Sequence, residues 1–304
     1  MKKTSLLARF LTAGIFISLA LFGCKKELSN SLSPGQEEEA ATASSESETE
    51  TELVFNDVFD NVMGVNEEVG ISGTGIFGRI NTSSERDLHT DSVHCYTVTI
   101  VRLNAPEPFP VKITVDFGNG CTGNDGHRRY GKIITEYTGR LTIPGKSATT
   151  RFDGFRIDDI SVQGTHKITN TTTSNHTQFT VDVTEAKLSK PNGNYAEWTA
   201  HRVITQLEGN ATPSPIDDIF KIEGSGHGRV QHNTSLYAWQ SEIIEPLRKK
   251  FTCHWISQGT IRIKRETLPD NSQWAAILDY GNGDCDYHAT LTINGQSHQI
   301  ELPH

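Results

Sequence analysis

Hydrophobic positions fall into two regimes along the chain. In TETELVFNDVFDNVMGVNEE the apolar residues Val54, Phe55, Val58, Phe59, Val62 and Met63 recur in pairs four apart. This draws one stripe on a helix, predicted over residues 53–63, with Thr51 as its cap and Gly64 as its stop. Such a stripe serves a partner or the helix's own domain, and packing on its own domain is expected. After about residue 90 the period drops to two: CYTVTIVRL, VKITVDF, KIITEYTGRLTI, TQFTVDVTEAKL, AEWTAHRVITQL, GTIRIKRETL and HATLTING alternate or are rich in β-branched residues. Asn192-Gly193 and Asn294-Gly295 are tight-hairpin signals. The expected fold is mainly β, an antiparallel meander curled or folded into a sandwich, with one short N-terminal amphipathic helix.

One phrase occurs twice, as VDFGNGC at 115–121 and LDYGNGDC at 278–285. Cys95 and Cys121 are placed symmetrically about Pro108, and Cys253 and Cys285 about Pro269. Each pair therefore flanks two strand-like runs joined at a proline-marked turn. Of the three pairings that four cysteines allow, this favours Cys95–Cys121 and Cys253–Cys285, closing stapled hairpin units near 94–121 and 252–285. A staple of this loop size contributes about 3 to 4 kcal/mol in the chain-entropy treatment. The glycines of each Gly-Asn-Gly supply the positive φ that turns the chain onward. A competing use is calcium, since Asp116, Asn119, Asn124 and Asp125 in the first copy, and Asp279, Asn282, Asp284 and Asp286 in the second, are oxygen ligands on loops. The spacing departs from the twelve-residue calcium loop, and turns use the same residues, so no cofactor is expected.

The 304 residues carry a net charge of −9 with no basic stripe, which excludes a nucleic-acid footprint. Residues 1–23 have a basic start (Lys2, Lys3, Arg9) and an apolar run from Phe10 to Phe22, the pattern of an export signal. Leu21-Phe22-Gly23-Cys24 resembles the lipobox of bacterial lipoproteins. That resemblance implies a lipid-modified Cys24 inserted in the outer membrane, because Lys25 and Lys26 follow without an Asp at the second position. Residues 24–52 are Ser-, Thr-, Glu- and Ala-rich and hold no aromatic residue, so they are expected to form a solvated acidic tether. A single β-rich domain is then expected over 53–304.

Several sequence motifs weaken in context. Gly73 to Gly78, GTGIFG, fits a dinucleotide pattern without the strand and helix that would flank it. His94, His227, His232 and His254 set no metal-ligand spacing. Tyr195, Trp198, Tyr237, Trp239, Trp255 and Trp274 lie in strand-like runs, where they fill the core or, if exposed, stack on sugars. The run Cys121, Gly123, Asp125, Gly126, Arg129, Gly131, Lys132 and Ile133, with EGSGHGRV and CHWISQGTIRI further on, resembles a group of uncharacterised lipoproteins of Bacteroidota. The resemblance implies an envelope location at the cell surface or periplasmic face, and supplies no catalytic residues. Asp91-Ser92-Val93 resembles the O-glycosylation acceptor pattern of that phylum, marking Ser92. The expected function is a non-catalytic envelope lipoprotein that binds a glycan or an envelope protein. The alternatives are an envelope hydrolase acting on a glycan and a structural component of an envelope assembly.

Overall fold

The computed structural model describes residues 32–63, 95–123, 126–173, 176–209 and 217–303. Helix α1 (Pro34–Met63) comes first, followed by β1 (Thr97–Arg102), β2 (Val111–Asp116), β3 (Cys121–Thr122), β4 (Arg128–Tyr137), β5 (Ser147–Ile157), β6 (Ile160–Asn170) and β7 (Gln178–Ser189). The chain continues through β8 (Tyr195–Glu208), β9 (Ile219–His232), β10 (Ser235–Lys250), β11 (Gln258–Arg265), β12 (Ala276–Asn282), β13 (His288–Ile293) and β14 (Gln296–Glu301). All belong to one antiparallel sheet whose strands lie side by side in chain order, except that the short β3 pairs only with β4. The meander is as expected, but it is one sheet, and among the described residues its edges β1 and β14 do not meet. Turn chemistry sets the register: Asn294 (φ 51°) and Gly295 (φ 73°) form a two-residue turn between β13 and β14.

The helix departs most from expectation. It runs for 30 residues, about 45 Å at 1.5 Å per residue, so residues 34–52 are helix where a solvated tether was expected, and the helix starts well before residue 53. Ser33 caps it: Gln36 Oε1 accepts from both the Ser33 N–H and Oγ at 3.0 Å, with Pro34 in the first helical position. Buried positions from Glu37 and Ala40 to Val62 and Met63 cover about two thirds of its circumference, counted at 3.6 residues per turn. The sheet curls around this rod. Small Ala40, Ala41, Ala43, Ser44 and Ser45 fill the first half, where the strands come close, and Phe55, Phe59 and Met63 fill the second. Phe59 sits edge-on to Phe179 and Phe220 and stacks on Phe251, while Phe55 meets Phe152 and Trp198. Each such buried side chain contributes about 1.5–3 kcal/mol.

Burying a Ser-, Thr- and Glu-rich helix requires partners for its polar groups. The hydroxyls of Ser45, Thr49 and Thr51 donate to carbonyls of the preceding turn, satisfying themselves within the helix. The carboxylates meet inward-facing bases of the sheet: Glu37 with Arg265 (2.7 Å), Glu48 and Glu52 with Arg202 (3.1 and 2.8 Å) and Asp60 with Lys249 (2.9 Å), while Glu50 pairs with the exposed Lys190 just after β7 (3.0 Å). Glu48, fully buried, also accepts from Trp198 Nε1 (3.0 Å), Trp239 Nε1 (2.8 Å) and Ser241 Oγ (2.6 Å). The glycines of EGSGHGRV make room for these donors. A Cβ on Gly226 would lie 2.9 Å from Ser241 Oγ, and one on Gly228 would lie 2.5 Å from the Trp239 ring.

Candidate functional site

Two concave regions of the described structure gather chemistry-bearing side chains. The first is a cleft where the helix is least covered. Glu50, Leu53, Val54, Asp57 and Asn61 of α1 face Arg129, Ile133, Phe155 and Ile160 across it, with His254 and Pro303 closing the other side. Asp57 is the hub, with Arg129 Nη2 at 3.4 Å and His254 Nδ1 at 3.7 Å. Nearby, Asp158 accepts from the Arg128 N–H at 2.8 Å and meets His127 Nδ1 at 2.7 Å. Burial pushes the Asp158 carboxyl up, but the Arg128 N–H, His127 and Arg129 together outweigh it and hold the pKa below the usual range. The cleft encloses only about 60 Å³, far below the roughly 300–1,000 Å³ of ligand pockets. Its charged groups are turned toward one another, so they clamp the helix to the β4–β6 wall and the β10–β11 loop.

The second region is the solvent face of β6–β11. Register places its side chains in three rows. One row holds Gln163, Lys187, Glu197, Arg229 and Ala238 on successive strands. A second row holds Thr199, His227, Gln240 and Lys264, and a third holds Asp182, His201, Ser225, Glu242 and Arg262. Two adjoining depressions open there, of about 460 and 490 Å³, and both are bordered by His227 and Glu266. Most charges are paired: Lys187 with Glu197 at 3.0 Å, Lys264 with Asp270 at 2.6 Å, and Arg262 with Glu242. Lys187 also lies over the Tyr195 ring, 4.0 Å from its centre. The side chains of Arg229, His227, Gln240 and Glu266 have no hydrogen bond or ion pair among the described residues and face the open space.

The repeated phrase does the same work in both copies. Asp116 Oδ1 accepts the Gly118 N–H at 2.9 Å and Asp279 Oδ1 accepts the Gly281 N–H at 2.8 Å, while Phe117 and Tyr280 are buried. Asp286 Oδ1 caps the His288 N–H at 2.8 Å, and Asp116 also pairs with Lys132 at 3.1 Å. These aspartates hold turns; Asn119 and Asp284 sit on the loops that follow, while Asn282 ends β12 opposite Gln258. The two loops lie near opposite ends of the strand order. Among the described residues no three His, Cys, Asp or Glu side chains converge as metal ligands. Cys95 bonds Cys121 and Cys253 bonds Cys285, with Cα separations of 5.3 and 5.8 Å, closing the open ends of the β1–β2 and β11–β12 hairpins. Cys24, Ser92, His94, Asn124, Asp125 and Gly73–Gly78 lie outside the described residues.

Compared with protein-family models, curated proteins and solved structures, the chain matches none.

Chemically, the cleft is a clamp and the solvent face is a surface of donors and acceptors. The aromatic residues belong mostly to the core: Trp198, Tyr237 and Trp239 are buried, and the indole N–H groups of Trp198 and Trp239 are spent on Glu48. Stacking of a ligand on those two rings is therefore ruled out, although both lie beneath the first depression. No motif or spacing marks Arg229, Gln240 and Glu266 as a group. Only the alternation of β9 and β10 could have placed Arg229 and Gln240 on the outer face.

Proposed function

We propose that this chain is an envelope lipoprotein, anchored through lipid on Cys24 in the outer membrane, whose β domain binds a glycan on the solvent face of β6–β11. The pair of adjoining depressions carries this reading. Their volumes suit a short oligosaccharide, and their free Arg229, His227, Gln240 and Glu266 offer the mixed donors and acceptors that hydroxyls require. A rigid sheet presents them without a loop to order, which limits the entropy lost on binding. The test is calorimetric titration of the folded domain with neutral and acidic oligosaccharides. Binding that falls at least tenfold in a His227→Ala/Gln240→Ala double variant supports the reading. No binding across the panel rejects it.

One observation favours a second reading, an envelope hydrolase. His201 Nδ1 meets Asp182 Oδ1 at 2.7 Å, and Ser225 stands directly opposite His201 on the next strand. That is the order of an acid, a base and a nucleophile. The backbone N–H groups of these strands are held in the ladder, so only side chains could meet an oxyanion. Covalent labelling by a fluorophosphonate, lost in Ser225→Ala, would establish this reading, and its absence from wild-type protein rejects it.

A further inference from the structure

Within the glycan-binding face one place differs from the rest, and the inference about it rests on the glycan reading. Along the first row Lys187 and Glu197 close on each other at 3.0 Å, and in the rows below Arg262 closes on Glu242 and Lys264 on Asp270. Arg229 and Glu266 do not close. Ala238 stands between them: it is directly opposite Arg229 on β9, and its carbonyl accepts the Glu266 N–H at 2.9 Å on the other side. Arg265 points inward to Glu37, so by strand alternation Glu266 points outward, into both depressions. Arg229 and Glu266 are thus separated by two strand spacings, about 9.5 Å, with Ala238 on the strand between them.

His227 and Gln240 stand side by side in the next row, His227 bordering both depressions and Gln240 the second. The result is a slot with a cationic donor at one end, an anionic acceptor at the other, and a ring nitrogen and an amide along one side. We propose that this slot is the primary subsite and takes one neutral sugar ring of the glycan. The Glu266 carboxylate accepts from its hydroxyls and the Arg229 guanidinium donates to them, with His227 or Gln240 bonding a third. Opposite unpaired charges favour a ligand with no net charge. A uronate would gain at Arg229 what it loses by repulsion at Glu266. A protonated amino sugar would face the reverse.

The slot makes a prediction that the wider face does not. Ala238 is on the solvent side, so Ala238→Phe fills the slot while leaving the helix and its buried pairs alone, and Ala238→Ser leaves it open. Wild type, A238F, A238S, R229Q and E266Q are titrated with neutral cello-, xylo-, manno- and malto-oligosaccharides and with oligogalacturonate. Circular dichroism and the denaturation midpoint report on folding. The expected result is tightest binding of a neutral oligosaccharide, a loss of at least tenfold in A238F, R229Q and E266Q, and no loss in A238S. Wild-type affinity in a folded A238F, or preference for oligogalacturonate over every neutral sugar, overturns the slot but leaves glycan binding standing. Failure of wild type to bind any member of the panel overturns both.

Discussion

Glu48 shows how one side chain can fix a fold. Its carboxylate has left water entirely, and four donors replace the lost hydration: two indole N–H groups, the Ser241 hydroxyl and the Arg202 guanidinium. Burial works against the charge of Arg202, but Glu52 and Glu48 more than offset it and raise its pKa. Removing one member of such a set strands the others. Glu48→Ala is therefore expected to cost about 3–5 kcal/mol, read from the urea midpoint, because Arg202 is left half-compensated and two buried N–H groups are left unpaired. A loss below about 1 kcal/mol would mean that the carboxylate is not desolvated as described. His166 makes a separate prediction, in pH. It is buried against Phe55, its Nδ1 has no partner, and burial pushes its pKa down from 6.5 to about 3. The unfolded chain takes up a proton near pH 6.5 that the folded chain refuses until about pH 3, so this contribution is intact above pH 6.5 and is lost as pH falls through that window. His166→Phe removes it. The stability of the variant relative to wild type should rise as pH drops from 7 to 4, and parallel denaturation curves across that range would show that His166 is protonated in the fold.

At the scale of the element, α1 decides between two pictures of the same residues. A solvated tether at 34–52 would tolerate a proline anywhere, whereas a packed helix would not. Ala43 lies mid-helix and is buried, so Ala43→Pro breaks a backbone bond and drives the ring into the preceding turn, at a cost of about 3 kcal/mol or more. The measurement is thermal or urea unfolding of the whole chain, and an unchanged midpoint would return residues 34–52 to the tether. Part of this helix was legible beforehand. The stripe from Val54 to Met63 has the right period, whereas the cap lies at Ser33, well before the Thr51 that the stripe suggested. The stretch between them was not legible, because composition registers only that Ala, Ser and Glu bury little apolar area. What makes that stretch fold is the set of bases that answers it, Arg202 and Arg265, more than 150 residues away in the chain. The strands were easier to read, since alternation and the Asn-Gly turns are local, and the symmetric cysteine spacing pointed to both staples. The outer depressions were not legible. They depend on which residues stand opposite one another across five strands, which is a property of register.

The length of α1 also changes where the whole molecule sits, if Cys24 carries lipid as proposed. A tether reaching residue 52 would let the β domain wander far from the bilayer, but a helix that begins at Pro34 leaves only residues 25–33 to span the gap. Nine residues reach at most about 30 Å when fully extended. The end of the sheet near the start of α1, where Arg265 holds Glu37, must then stay close to the lipid. The turn between β9 and β10 lies at that end, a few residues beyond Trp239 and its bond to Glu48, whereas the start of β11 lies at the other end, beside the loop whose Phe251 packs on Phe59. A fluorophore at Asn233 should therefore be quenched by headgroup-labelled lipid when the lipidated protein is reconstituted into vesicles, and one at Gln258 should be quenched much less. Equal quenching at both positions would mean that α1 leaves the sheet at the membrane or that the anchor is elsewhere. A Cys24→Ser chain separates these cases: if its quenching is unchanged, the anchor assignment fails, and if quenching disappears at both positions, the anchor stands and the helix has come out. With the expected asymmetry, the depressions on the flank of the sheet face sideways along the bilayer, within reach of glycans that rise from the same surface.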